Sequence, residues 1–385
     1  MAHSIASPTL ERTGVSSPTS RARYTPVVRA RKVLPDLSHL KAGPLARVVF
    51  LRSLSAMVSA GIQLDRALGY LAKQGDDPTM GIISQALADR VRSGQMLSTA
   101  MDKFPLAFSR LQVRLVQMGE KTGLLDRILG DLSTYEERER QTLLRVRSSL
   151  TYPAFTLVFA ALLMIVVPPY MLKGIFQMIA TSGVQPPALT RWVMAGTDLL
   201  RNPWFYTFLV FFFSALTYFG PRWLRKPGNR SLLFQGLDRI PALGRILKTV
   251  AVTRFARALG LQLECGMSPL TALRISAEVT DHPLLQSKIE PAIEGLKNGL
   301  TMQASLETAK FFPNLFLKMV QVGEESASLP DLLGRVADVY DLELETALEA
   351  FTALLEPMVM MAMGVLVGVF VVATMLPMAQ LLQNL

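Results

Sequence analysis

The C-terminal end of the chain carries no charged residue from Pro357 to Leu385. These 29 residues include Met358–Phe370, which reads MVMMAMGVLVGVF. As a helix they would extend about 43 Å, at roughly 1.5 Å per residue, whereas the apolar core of a bilayer is about 30 Å thick. Because the run offers no polar face to water, it predicts a membrane-spanning helix and not the buried helix of a soluble core.

Two earlier segments predict spans in the same way. Ser148–Leu172 contains 25 residues without a charge, and Asn202–Pro221 contains 20. Four amphipathic aromatic residues, which favour the headgroup region of a bilayer, lie near the ends of the second segment: Trp204, Tyr206, Tyr218 and Trp223. The chain is therefore predicted to be a polytopic membrane protein with three transmembrane helices.

Composition agrees with this class of protein. Half of the residues are hydrophobic and only 18% are charged, a balance that suits membrane spans joined to sizeable soluble parts. The net charge of +10 is better explained by anionic lipid and membrane topology than by direct nucleic-acid binding. A single cysteine, Cys265, excludes an internal disulfide and is expected to be a buried helix residue.

The chain contains an internal repeat. Phe50–Leu68 reads FLRSLSAMVSAGIQLDRAL, and Phe255–Leu273 reads FARALGLQLECGMSPLTAL. Within these segments Gly61 and Gly266 are 205 residues apart, and the same separation relates Gly94 to Gly299 further along. Such ordered matches predict a duplicated helical module.

The repeat continues into the spans. Leu115–Glu120 matches Met319–Glu324, and Pro153 matches Pro357, both at a separation of 204 residues. Phe104-Pro105 also resembles Phe312-Pro313, but at a separation of 208 that would require two small insertions or deletions. One position departs from the pattern: Ala327 stands where the first copy has Gly123, so the second turn is expected to close differently.

The fold class follows from helical periodicity and the near absence of strand patterns. We predict an all-α polytopic membrane protein with two repeated cytoplasmic helical-bundle domains and three transmembrane helices. The charged run Thr134–Arg140 is expected to be a solvated face of the long helix that enters the first span.

The repeat also constrains topology, because two homologous modules should occupy one compartment and so be separated by an even number of crossings. Basic residues mark the cytoplasmic side. They cluster before the first span and after the second, as Arg138, Arg140, Arg145, Arg147, Arg222, Arg225, Lys226 and Arg230. We therefore predict a multi-pass membrane protein with both modules and the N-terminus in the cytoplasm and the C-terminus outside.

The predicted domain order has eight parts. These are a disordered basic tail (1–44), the first cytoplasmic helical domain (45–150), transmembrane helix 1 (151–172), an external loop (173–202), transmembrane helix 2 (203–221), a cytoplasmic region (222–353) with the second helical domain at about 250–353, transmembrane helix 3 (354–378) and an external tail (379–385).

The sequence offers little for catalysis. His3, His39 and His282 are scattered and have no zinc-ligand spacing. The segment 119–123, GEKTG, has neither the Gly-Lys-Ser/Thr tripeptide of a phosphate-binding loop nor a strand before it. We therefore predict that the protein is not an enzyme and uses no metal or cofactor.

Three acidic residues and one glycine pair stand out instead. Glu120 and Glu324 recur beside a glycine at the end of a helix, where the helix dipole disfavours a carboxylate. Each is expected to form a structural ion pair, with contact to a partner protein as the alternative. Glu356 borders the third span, where it either reaches the cytoplasmic interface or couples motion. Gly364 and Gly368 form a G-x-x-x-G pair that would allow close approach of a second helix.

Together these motifs resemble the type II secretion F / type IV pilus PilC platform family, from about Phe50 to the C-terminus. The likeness includes residues 60–64 (AGIQL), Ser93-Gly94, Gly119-Glu120, Tyr152-Pro153 and a last span ending near Leu376-Pro377. The candidate structural or coupling residues are Gly61, Gly94, Gly119, Glu120, Tyr152, Pro153, Gly266, Gly299, Gly323, Glu324, Glu356, Pro357, Gly364, Gly368 and Pro377.

The resemblance implies an oligomeric inner-membrane platform beneath a pilus or pseudopilus. Its implied partners are a cytoplasmic assembly ATPase, pilin or pseudopilin subunits, other inner-membrane assembly proteins, the lipid bilayer and further copies of the chain. A small transporter is disfavoured because the spans are almost wholly apolar. A membrane-anchored scaffold or signalling protein without a filament role is the alternative that the architecture leaves open.

Overall fold

The computed structural model describes residues 39–75, 77–171, 174, 177, 188–224, 232–234, 236 and 241–383. Most of the predicted basic tail, residues 1–38, lies outside this part of the chain, as do residues 178–187 of the predicted external loop and 225–231 after the second predicted span. The regular structure of the described residues is α-helical, which confirms the predicted all-α class.

The first module contains five helices and the start of a sixth. They are α1 (Pro44–Ser59), α2 (Leu64–Gln74), α3 (Pro78–Arg92), α4 (Leu97–Met101), α5 (Arg110–Thr122) and α6 (Leu125–Met171). Two helices follow before the second module, α7 (Ala188–Arg201) and α8 (Pro203–Leu224). The second module contains α9 (Pro241–Glu264), α10 (Pro269–Val279), α11 (Pro283–Lys297), α12 (Met302–Thr308), α13 (Asn314–Glu325) and the start of α14 (Leu329–Gln383).

The helix order confirms the predicted repeat, since α1 to α6 correspond in sequence to α9 to α14. Four of the candidate glycines have the left-handed backbone that an L side chain disfavours. Their φ angles are 79° at Gly61, 87° at Gly94, 77° at Gly266 and 85° at Gly299. These glycines therefore end equivalent helices of the two modules in the same conformation.

The turn before the last helix of each module also closes in the same way, contrary to expectation. Gly123 ends α5 with φ 75°, and the Leu124 N–H donates to the Gly119 carbonyl at 3.1 Å. In the second module Ala327 keeps a positive φ of 52°, and the Ser328 N–H donates to the Gly323 carbonyl at 3.0 Å. The hydrogen bond imposes the left-handed conformation on alanine, at a cost of roughly 1–2 kcal/mol.

The aromatic pairing of the modules corrects the alignment of Phe104 with Phe312. The Phe255 and Phe312 rings are 4.8 Å apart, and the equivalent contact in the first module joins Phe50 and Phe108 at 5.7 Å. Phe312 therefore corresponds to Phe108, 204 residues earlier. The two insertions or deletions that the alternative alignment required do not exist.

The two longest helices lie side by side and run parallel. Arg138 of α6 pairs with Asp338 of α14 at 2.8 Å, and one heptad later Arg145 pairs with Glu345 at 3.6 Å. Equal spacing on both helices requires a parallel arrangement in register. Buried apolar side chains from both modules also form one continuous core cluster.

Leu329–Leu376, within α14, is the one helix of the described chain that is long and apolar enough to cross a membrane. Only 6% of its most apolar stretch is buried, so it is not the core helix of a soluble domain. The other two predicted spans lie on α6 and α8. Within α8, Pro203–Phe212 is a shorter apolar helical segment. The segment predicted as an external loop contains α7, whose Thr190 donates a hydrogen bond to the Ala373 carbonyl of α14 at 2.8 Å.

Candidate functional site: the contact between the modules

A buried arginine joins the two modules. Arg257 of α9 is 6% exposed and lies between Glu139 of α6 and Asp341 of α14. Its guanidinium donates to Glu139 Oε1 at 3.4 Å and to the Asp341 carboxylate. Arg254, one turn earlier on α9, places its Nε 2.9 Å from the other oxygen of Glu139. Each buried charge therefore has a partner of opposite sign, without which its desolvation would be costly.

A second polar cluster lies inside the first module. The buried Glu136 carboxylate accepts a hydrogen bond from Gln112 Nε2 at 2.6 Å and lies 3.4 Å from Arg47 Nε. Burial raises the pKa of Glu136 above its ordinary 4.5, and the charge of Glu139 adds to this, while Arg47 and Gln112 oppose it. The folded protein therefore binds the Glu136 proton more tightly than the unfolded chain does. As the pH rises from the ordinary pKa to the raised pKa of the folded protein, ionisation of Glu136 lowers the free energy of unfolding.

These two clusters correct the prediction for the charged run Thr134–Arg140. Tyr135 and Glu136 are buried and Glu139 is mostly covered, whereas Thr134 and Arg138 are exposed. Charge patterning alone predicts a solvated face because it does not show that Arg254 and Arg257, more than 100 positions later, pair with Glu139. One face of α6 is instead the centre of the contact between the modules.

Contrary to expectation, the two recurring glutamates form no ion pair with the residues that the structure describes. Glu120 accepts hydrogen bonds from the Leu97 N–H, from the Ser98 N–H at 3.2 Å and from the Ser98 hydroxyl at 2.5 Å. Glu324 does the same in the second module, from the Met302 N–H at 2.8 Å and the Gln303 N–H at 3.4 Å. Each carboxylate thus caps the N-terminus of the short fourth helix of its module, where unpaired N–H groups attract negative charge.

Glu120→Gln is expected to weaken this cap by about 1 kcal/mol, because the amide loses the charge and presents a donor to one of the N–H groups. Hydrogen exchange of the full chain in detergent would show faster exchange at Leu97 and Ser98. Glu294→Gln, on the exposed surface of α11, is the control and should change nothing. Unchanged protection at α4 would contradict the capping role.

The glycines that precede these glutamates allow helices to approach closely. A Cβ on Gly119 would lie 3.0 Å from the Leu125 Cα, and one on Gly323 would lie 2.9 Å from the Leu329 Cα. Both distances are below normal contact, and the obstacle is backbone, which cannot rotate away. Both residues of each Gly-Glu pair therefore make close contacts within their own module.

The candidates in the membrane-entering helices have fewer contacts. Tyr152 is 60% exposed on α6, and Pro153 beside it is buried. Glu356 and Pro357 are exposed on α14, and a Cβ on Gly364 or Gly368 would meet nothing within 4 Å. Pro377 lies within α14 near its end. The roles predicted for these residues stay predictions.

A cleft of about 900 Å³ lies between the modules. It lies between α4 and α5 of the first module and α10 and α11 of the second, and the Arg110 guanidinium reaches across it to Glu278 at 3.2 Å. Its charged lining residues are Asp102, Arg110, Arg114, Arg274, Glu278 and Lys297. Apolar side chains such as Val113, Leu270 and Ile293 line the rest, so the cleft is a seam of mixed polar and apolar character between the modules.

Sequence reasoning missed the residues of the contact itself, above all Arg254, Arg257 and Asp341. Arg257 offered one signal, because it lies in a largely apolar stretch of its helix, the segment VAVTRFARALGL (250–261). A charge in such a position is usually paired. Its partners lie 118 and 84 residues away, so only the folded chain identifies them.

Comparison with known proteins agrees with the duplicated architecture. The family described as type II secretion system (T2SS), protein F, matches the chain twice, over residues 50–172 and 255–377. A type IV pilus assembly protein PilC of Thermus thermophilus is 32% identical over 90% of this chain and 85% of its own length. PilC of Pseudomonas aeruginosa is 30% identical over 89% and 91%, and type II secretion system protein F of Xanthomonas campestris is 30% identical over 87% and 82%. The chain belongs to the type II secretion system protein F family.

Proposed function

We propose that this protein is an inner-membrane platform of a type IV pilus or type II secretion system. The observation that carries the proposal is the double family match, one to each module, together with relatives named for pilus assembly and for type II secretion. The absence of a recognisable catalytic motif in the sequence agrees with a structural and coupling role. The energy for filament assembly would then come from a cytoplasmic assembly ATPase.

The proposed topology has three spans, with the domain boundaries predicted from the sequence. Two features of the fold support it. α6 and α14 leave the paired modules in parallel, so their apolar ends would enter the bilayer from one side. α8, which lies between α6 and α14 in the sequence, exposes Phe208, Val210 and Phe211, as a lipid-facing helix would. An even number of crossings then separates the modules, and the C-terminus lies outside.

The modules offer the surface for the cytoplasmic partners, and the spans offer the surface for pilins or pseudopilins, other inner-membrane assembly proteins and lipid. Further copies of the chain are expected, since a platform that supports a filament is a homo-oligomer. Because the modules share one core cluster and one charged contact, force applied to either would reach both α6 and α14.

Deletion of the gene tests the general role. We expect loss of surface filaments or of secreted proteins, whichever system the protein serves, and restoration by the full-length gene. A cell that keeps both would instead support the alternative of a membrane-anchored scaffold.

Pulldown of the cognate ATPase with detergent-solubilised full chain tests the coupling. We expect capture to be lost when charges on the exposed surface of both modules are reversed, while variants changed only in α7 keep it. Equal capture by both sets would contradict docking on the modules.

A further inference from the structure

The two modules of one chain contact each other through faces that are not equivalent in the repeat. α6 of the first module contacts α9 of the second, through the ion pairs of Glu139 with Arg254 and Arg257. The counterpart of α9 is α1, which makes its helix contacts inside the first module. The contact therefore joins two different faces of the repeat and is head-to-tail. The corresponding face of α14, the counterpart of α6, and that of α1, the counterpart of α9, stay unused within the chain.

Burial identifies the unused face of the second module. On α6 the contact covers Tyr135 and Thr142, which are 5% and 4% exposed. Their counterparts on α14, 204 residues later, are Val339, which is 43% exposed, and Thr346, which is also exposed. Leu342, between them, is 64% exposed. The α14 outer face consists of Val339, Leu342, Glu343 and Thr346.

The unused face of the first module is found in the same way. Arg254 and Arg257 of α9 are covered, whereas their counterparts on α1, Val49 and Arg52, are exposed. Leu45, one turn before Val49, is 54% exposed. The α1 outer face consists of Leu45, Val49, Arg52 and Ala56.

We propose that the α1 outer face of one chain binds the α14 outer face of a second copy, which repeats between chains the contact that joins the modules within one. The charges are complementary. Glu343 and Arg52 occupy the positions of Glu139 and Arg257, whose side chains pair at 3.4 Å. Among the described residues neither Glu343 nor Arg52 has an ion pair within its own chain.

The apolar residues of the two faces also complement each other. Leu45 and Val49 on α1 would pack against Val339 and Leu342 on α14 and remove four exposed aliphatic side chains from water. In the intramolecular contact the position of Val49 is held by Arg254, so an apolar residue replaces the partner of Glu139 in the contact between chains. The pairs Arg138–Asp338 and Arg145–Glu345 likewise have no oppositely charged counterparts between chains, so this contact has fewer ion pairs than the intramolecular one. This composition suits a contact between copies that also exist separately during biosynthesis.

This inference rests on the homo-oligomer of the proposed function and specifies its interface. A head-to-tail contact that repeats builds a ring or an open array with two modules per chain. A two-fold contact would instead bring identical faces together. The two arrangements are therefore distinguishable by which faces meet.

Crosslinking between two tagged copies tests the arrangement. One copy carries Val49→Cys and the other Glu343→Cys, both in a Cys265→Ala background that removes the single native thiol. After purification of the co-expressed full-length chains in detergent, a short bismaleimide should join the two tags. Lys288→Cys, exposed on α11, replaces Val49→Cys in the control and should give no mixed product.

Charge reversal tests the ion pair without a crosslinker. Arg52→Glu or Glu343→Arg alone should weaken self-association about tenfold, measured by mass photometry, and the double variant should restore most of it. Lys288→Glu and Glu294→Arg, both on the exposed surface of α11, are the matched controls and should have no effect.

Three outcomes would overturn the inference. A product that joins two Val49→Cys copies would show a two-fold contact instead. Oligomers without a mixed product would show that another surface is used, while the homo-oligomer itself stands. Monomers under all conditions would refute both this interface and the homo-oligomer, whereas loss of filaments on gene deletion would still support the platform role.

Discussion

Replacing Arg257 with methionine is expected to lower the free energy of unfolding of the paired modules by about 3–5 kcal/mol, since removal of one partner leaves buried charge uncompensated. Glu139 and Asp341 would then face each other across a site that excludes most water. Two carboxylates without their shared cation repel, and within the described part of the chain only Glu139 keeps a basic partner, Arg254.

Hydrogen exchange of the full chain in detergent is the suitable measurement. Trp192, Trp204 and Trp223 all lie outside the modules, so tryptophan fluorescence would report on other parts of the chain. Arg274→Met is the matched control, because its ion pair with Glu290 is exposed and worth at most about 1 kcal/mol. Equal effects of the two substitutions would show that the buried contact does not hold the modules together.

Gly323→Ala is expected to cost about 1–3 kcal/mol through overpacking, although alanine is normally the better helix former. The added Cβ would lie 2.9 Å from the Leu329 Cα and 3.0 Å from its Cδ1, so α13 and α14 must separate. Gly119→Ala should have a similar but smaller effect, since its nearest contact is 3.0 Å.

The control for this prediction is Gly69→Ala, in the middle of α2. A Cβ there meets nothing within 4 Å, so the substitution should be neutral or stabilise by up to about 1 kcal/mol. Thermal unfolding followed by far-ultraviolet circular dichroism would rank the three variants. If Gly323→Ala and Gly69→Ala both stabilised the protein, close helix approach at Gly323 would be ruled out.

Local signals were sufficient for the helices and for the turns of the repeat. Two pairs of glycines are 205 residues apart: Gly61 with Gly266, and Gly94 with Gly299. Each of these glycines lies at the end of a helix, where the conformation depends on hydrogen bonds within a single turn. Glu120 and Glu324 were recognisable as a repeated pair, but their partners were not. The N–H groups that they bind belong to another helix more than 20 residues away, and no spacing rule connects a carboxylate to a backbone donor at that distance.

The sequence by itself determined that this chain is a duplicated α-helical protein with apolar helices suited to a membrane, because periodicity, helix ends and hydrophobic length are properties of neighbouring residues. Only the tertiary structure decided which faces of the two modules meet. Arg257, Glu139 and Asp341 look like ordinary charged residues along the chain, and their burial together depends on how α6, α9 and α14 pack. The two copies of one pattern have different surroundings for the same reason, since each position on α6 that the second module covers has an uncovered counterpart on α14.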